Sequence, residues 1–120
     1  MAKILVFTPD LLFGSSVLGA LTAGGHSAVL CSNTEALRVE AGGAELVVID
    51  LTDEAAERAA QLAELRVDGV LAEAKTLGYH SHVDPDSREV ALEYGVEKVV
   101  PRSRMHREPT VLVAQLLESA

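Results

Sequence analysis

Short apolar runs alternate with longer stretches of helical spacing along the whole chain. Ile4-Leu5-Val6-Phe7 is a continuous β-favouring run. It stops at Thr8-Pro9-Asp10, because proline has no amide hydrogen to continue an interior strand. Leu12, Val17, Leu18 and Leu21 then recur close to helical spacing over 11–23, and Gly24-Gly25 ends that helix. Ala28–Cys31 reads as a second strand. Ser32 and Glu35 have the spacing of a capping box, so a helix is expected up to Gly42-Gly43.

Leu46-Val47-Val48-Ile49 is the strongest strand signal and ends on Asp50. Thr52-Asp53-Glu54 opens an Ala-rich helix to about position 65, which Asp68-Gly69 interrupts before a further helical stretch through Ala74. Thr76–Tyr79 is assigned as the fourth strand because the alternation requires one there. Asp84-Pro85 starts the next helix, with Asp as cap and Pro in the first turn, and Gly95 ends it. Lys98-Val99-Val100 is the fifth strand, and Glu108-Pro109 opens a last helix through Leu117.

Strand and helix thus alternate five times, with connections suited to right-handed crossovers. The pattern predicts one α/β domain over residues 1–120: a three-layer, doubly wound, five-stranded parallel sheet of order 2-1-3-4-5, the flavodoxin-like arrangement. Composition agrees. Of the 120 residues 48% are apolar and 23% charged, with two Tyr, two Phe and no Trp, so the core must be aliphatic, as buried parallel strands require. Scarce aromatics and a net charge of −8 exclude a base-stacking nucleic-acid platform and make direct nucleic-acid binding unfavourable. The single Cys31 excludes an internal disulfide and suits a reducing cytoplasm, where it reads as a small buried hydrophobe. The first apolar run is too short for a signal peptide, and nothing approaches the roughly 18–20 apolar residues of a membrane span.

In a doubly wound sheet, ligands collect at the carboxyl ends of the strands. That rule brings Thr8, Pro9, Asp10, Asp50, Thr52, His80, Ser81, His82, Pro101, Arg102 and Arg104 to one rim. Asp50, at the end of an apolar strand, is half-desolvated and needs compensation. It reads as a nucleophile or metal ligand, or else as a helix cap or a partner for Arg102. His80 and His82 alternate on an extended segment and point to opposite sides, which argues against one shared metal. A Ser81-His80-Asp50 triad lacks the G-x-S-x-G elbow. Lys98, Arg102, Arg104 and Arg107 form a basic stretch without an acid, suited to phosphate or carboxylate or simply to pairing with nearby acids. Gly14-Ser15-Ser16 is a candidate phosphate cradle but has neither the P-loop lysine nor a dinucleotide glycine fingerprint.

A 120-residue (βα)5 chain whose third strand ends in Asp50 resembles the receiver domains of bacterial two-component response regulators. The resemblance covers the whole chain in layout. It implies that Asp50 is the phospho-acceptor and that an acidic pair after strand one holds Mg²⁺. It also implies a Thr or Ser at the end of strand four and a Lys at the end of strand five. Here Thr8-Pro9 falls where the acidic pair begins, which leaves Asp10 as the carboxylate. His80 or Ser81 takes the Thr/Ser position. Val99-Val100-Pro101-Arg102 lacks the lysine before its proline. With one carboxylate fewer, the metal site (Asp10 and Asp50) is weakened, and an arginine fork does not substitute freely for a lysine ammonium.

The expectation is a stand-alone, atypical receiver-like module that is not an enzyme, is cytoplasmic, has no firm cofactor and acts through a protein partner or homodimer. Val111, Leu112, Leu116 and Leu117 of the last helix are its candidate face, unless they simply pack on the sheet. The alternative is a small-molecule binder or small enzyme that holds a phosphate- or carboxylate-bearing ligand with Asp10, His80, Ser81, His82, Arg102 and Arg104.

Overall fold

The computed structural model describes residues 2–81 and 85–118. Five strands, β1 (Lys3–Phe7), β2 (Ser27–Cys31), β3 (Ala44–Asp50), β4 (Lys75–His80) and β5 (Lys98–Pro101), form one parallel sheet of order β2-β1-β3-β4-β5. The helices are α1 (Leu11–Ala23), α2 (Thr34–Glu40), α3 (Ala55–Val67), α4 (Pro85–Glu93), α5 (Arg102–Arg107) and α6 (Pro109–Glu118). The strand order and the alternation of strand with helix are those expected. Among the described residues no helix is long and apolar enough to cross a membrane.

Successive strand side chains point to opposite faces, so each strand feeds two cores. Ile4, Val6, Leu46, Val48, Leu77, Tyr79 and Val100 pack with Phe13, Val17 and Leu21 of α1, Met105 of α5, and Leu112, Val113 and Leu116 of α6. Leu5, Phe7, Val47, Ile49 and Val99 pack with Leu37 of α2, Ala59, Leu62 and Leu65 of α3, and Ala91 of α4. Burying each such Val, Leu or Ile stabilises the fold by about 1.5–3 kcal/mol relative to exposure. Leu112 and Leu116 are therefore core residues and Leu117 packs against them, so Val111 alone of that quartet faces outward.

Several element ends differ from the pattern-based expectation. Asn33, rather than Ser32, caps α2, its Oδ1 accepting from the Ala36 amide at 2.8 Å. Neither Thr52 nor Asp53 caps α3; Glu54 precedes it in the left-handed region (φ 52°) with no side-chain cap bond. Helix does not resume after Gly69, whose positive φ turns the chain away and lets Val70 close on the Leu65 carbonyl. Arg102–Arg107 forms an additional short helix where a loop was expected. Asp84, the expected cap of α4, lies outside the described residues.

Gly14 sits in the first turn of α1, not in an open phosphate cradle. A Cβ there would lie 2.7 Å from Leu30 Cδ1 and 2.7 Å from Thr8 Cγ2, so the glycine lets α1 approach the end of β1. Gly19, on the solvent side of the same helix, would have nothing within 4 Å of an added methyl. Gly19→Ala is expected to raise stability by about 0.5–1 kcal/mol through helix propensity. Gly14→Ala is expected to lower it by about 1–3 kcal/mol through overpacking. Urea unfolding of the two variants measures both signs.

Candidate functional site

Because β1 and β3 are neighbours, the first residue past β1 and the last of β3 meet on one face. Thr8 Oγ1 donates to Asp50 Oδ2 at 2.5 Å, and both residues are buried. The Thr52 amide donates to Asp50 Oδ1 at 2.8 Å, which turns the chain after β3. Thr8 Oγ1 also accepts from the Asp10 amide at 3.0 Å. One threonine hydroxyl thus ties the β1–α1 turn to the Asp50 carboxylate.

Asp10 caps α1, with Oδ1 accepting from the Phe13 amide at 3.0 Å, while Oδ2 accepts from Arg102 at 3.1 Å. The Phe13 amide, together with Arg102, holds the Asp10 carboxyl below the usual carboxylate range. The Arg102 guanidinium lies over the Phe13 ring, 4.0 Å from its centroid, within cation–π range. Phe13 in turn leans on Tyr79 at 4.9 Å between centroids. Tyr79 pairs with Asp50 in the sheet register and is fully buried. Burial pushes its phenol far above the usual range, so it stays neutral. Its hydroxyl meets Thr8 and Asp50.

These groups lie along an open cleft of about 660 Å³ lined by Pro9, Asp10, Phe13, Asp50, Thr52, Asp53, Ser81, Arg102, Ser103 and His106. Of the residues expected at the rim, Pro9, Asp10, Asp50, Thr52, Ser81 and Arg102 come together there. His80 does not. A Cβ on Gly78 would meet Leu51 and Val96, so even positions of β4 face the opposite core, and the His80 ring bonds to the Ser81 carbonyl oxygen at 2.7 Å. Arg104 is also absent from the cleft, because its place on α5 turns it to Glu108, which it contacts at 2.6 Å. That contact pulls the Glu108 carboxyl below its usual range. His82 lies outside the described residues.

Sequence reasoning missed Phe13, Asp53, Tyr79 and His106. Phe13 and Tyr79 belong to different elements, and only the tertiary approach of the first turn of α1 to the end of β4 stacks them. His106 reaches the cleft because 102–107 is helical.

Mg²⁺, which the receiver resemblance implies, prefers near-octahedral oxygen ligands including one or two carboxylates. The donor set does not fit it. Both Asp10 oxygens serve the helix cap and Arg102, and the residue that follows β1, Thr8, brings a hydroxyl that donates to Asp50 in place of a carboxylate. Among the described residues no three His, Cys, Asp or Glu side chains are grouped closely enough to hold a metal ion.

No protein-family model and no curated protein matches the chain. Solved structures do match. A response regulator from Thermotoga maritima superposes with a TM-score of 0.82 at 18% identity, covering 99% of this chain and 99% of that one. A Burkholderia pseudomallei response regulator, solved with a phosphorylated aspartic acid, calcium and citrate, gives 0.76 at 16% identity over 97% of this chain and 66% of its own. An orphan response regulator of H. pylori gives 0.70 at 15% identity over 95% and 92%. The fold is that of response-regulator receiver domains.

Two outcomes test the network. Thr8→Val, which keeps shape but removes the hydroxyl, is expected to cost about 1.5–3 kcal/mol in urea unfolding, whereas Thr8→Ser retains most of the stability. The lowered Asp10 carboxyl stabilises the fold above its unfolded pKa, and that contribution is lost as pH falls below about 4. Acid unfolding followed by circular dichroism should therefore be less steep in Asp10→Ala than in the parent chain.

Proposed function

We propose that this chain is a receiver-fold signalling module that works through protein contacts, with Asp50 serving as a structural anchor rather than as a phosphoryl acceptor. The observation that carries this reading is the state of the Asp50 carboxylate. Both oxygens are engaged, one by the Thr8 hydroxyl and one by the Thr52 amide. Thr8 stands where the resemblance calls for an acid, so the group that would help hold a cation instead donates a hydrogen bond to the acceptor.

Phosphoryl transfer depends on positioning and on cations that neutralise the transferred group. The cleft's own guanidinium, Arg102, is committed to Asp10 and to the face of Phe13. A phosphoryl group on Asp50 would have to displace the Thr8 bond and would meet Asp10 and Asp53 across the cleft. The orphan regulator among the neighbours supports a signalling role on this fold.

Contact surface is available outside the cleft. Leu92 and Tyr94, at and just past the end of α4, and Val111 on α6 are exposed apolar residues suited to a partner. The geometry does not favour an anion-binding rim. Arg102 and Arg104 are paired with Asp10 and Glu108, and three carboxylates line the cleft.

Incubation with Mg²⁺ and acetyl phosphate, followed by intact-mass measurement, is expected to leave the chain unmodified. Stoichiometric addition of one phosphoryl group that disappears in Asp50→Asn would overturn the reading.

A further inference from the structure

We propose that the cleft over Asp50 binds a primary ammonium group carried on an aliphatic stem. The starting observation is a charge imbalance. Asp50 is only 5% exposed, and its two hydrogen-bond donors, a hydroxyl and an amide, are both neutral. No Lys, Arg or His among the described residues forms an ion pair with it. A buried carboxylate without a cation is costly, and the cost falls when a cation reaches it. The cleft leads from solvent to that carboxylate.

A second, independent observation lies in the Thr52 hydroxyl, two residues past Asp50. Thr52, which lines the cleft, has a buried Oγ1 with no hydrogen-bond partner. Such unpaired polar atoms are rare in folded proteins and point to a missing partner.

The lining selects the chemistry of that partner. An ammonium offers three donors and no acceptor. It would meet the spare lone pairs of Asp50, the hydroxyl oxygen of Thr52 and the carboxylate of Asp53. An anion would meet Asp50 and Asp53, while the guanidinium in the cleft is already paired to Asp10. A divalent metal would lack a three-ligand cluster among the described residues. Pro9 and the exposed part of Phe13 supply apolar surface for a stem. The ammonium can come from a free amine or from a lysine side chain of a docked protein.

Amide-resolved NMR titration of the full chain at constant ionic strength separates these cases. Pentylamine is the probe, beside a blocked lysine tripeptide, sodium chloride, magnesium chloride and inorganic phosphate. Saturable shifts at Thr52 and Asp53 with pentylamine or the tripeptide, but not with the three salts, are expected. Tighter binding of the tripeptide assigns a protein source, and tighter binding of pentylamine assigns a free amine; either supports the site. Asp50→Asn should weaken binding about tenfold or more, as removal of a charge-assisted bond does. Asp53→Asn, at an exposed position that the fold does not need, should weaken it severalfold, while Glu64→Gln on α3 should leave it unchanged. Linear, non-saturating shifts, equal affinity in Asp53→Asn and the parent, or saturable binding of magnesium or phosphate in place of the amines would each refute the proposal. Failure of the amine titration leaves the phosphorylation outcome untouched, so the two readings fall separately.

Discussion

A parallel sheet buried on both faces imposes one constraint on everything else in this molecule. Each strand must alternate strictly between two helical layers, because side chains on adjacent positions point oppositely. In the middle of the sheet that constraint is satisfied by Val, Leu and Ile on both sides. At the carboxyl edge it decides which polar side chains meet. Thr8, Asp50 and Tyr79 share the α1 face and form one cluster, whereas His80, one step along β4, is committed to the other face. The candidate site is a consequence of strand parity before it is a matter of residue chemistry.

The cluster also shows how a single hydroxyl changes the character of a site. Thr8 both donates to Asp50 and accepts from the Asp10 amide, so the carboxylate becomes part of the turn that launches α1. Asp10 then caps that helix and holds Arg102, which brings the start of α5 against the start of α1. Phe13 lies between Arg102 and Tyr79 and completes a continuous contact from the start of α5 to the carboxyl end of β4. An acid in place of Thr8 would repel Asp50 unless a cation stood between them. With threonine the attraction is internal, and the edge of the sheet is held without a metal. What remains unmet is charge at Asp50 and hydrogen bonding at the Thr52 hydroxyl, both at the same cleft.

Gly14 belongs to the same arrangement. Its missing Cβ is what lets the first turn of α1 rest on Thr8 and Leu30, and so places Phe13 over the site. Along the sequence the same glycine suggests a phosphate cradle, because glycine near a helix start is common to both situations. The close approach here is of helix to strand, with no room left for a ligand.

The layout was legible in the sequence because it rests on local regularities. Apolar runs of strand length, helical spacing between them and turn residues at their ends determine five βα units, and the crossover rule leaves few ways to order them. Asp50 and Asp10 were legible as well, since strand ends in such a sheet face its ligand edge. The partners of those residues were not. Arg104 and Arg102 are two positions apart in one basic stretch, yet a short helix turns one to Glu108 and leaves the other on Asp10. Phe13 and Tyr79 carry no sequence signal beyond hydrophobicity, and Asp53 reads as a helix cap. Periodicity by itself determines which residues are buried and at which end of the sheet polar groups gather. Only the tertiary structure decides which of them touch, because contacts between β1, β3, β4 and α5 join residues up to 92 positions apart, and no local pattern encodes the angle at which they meet.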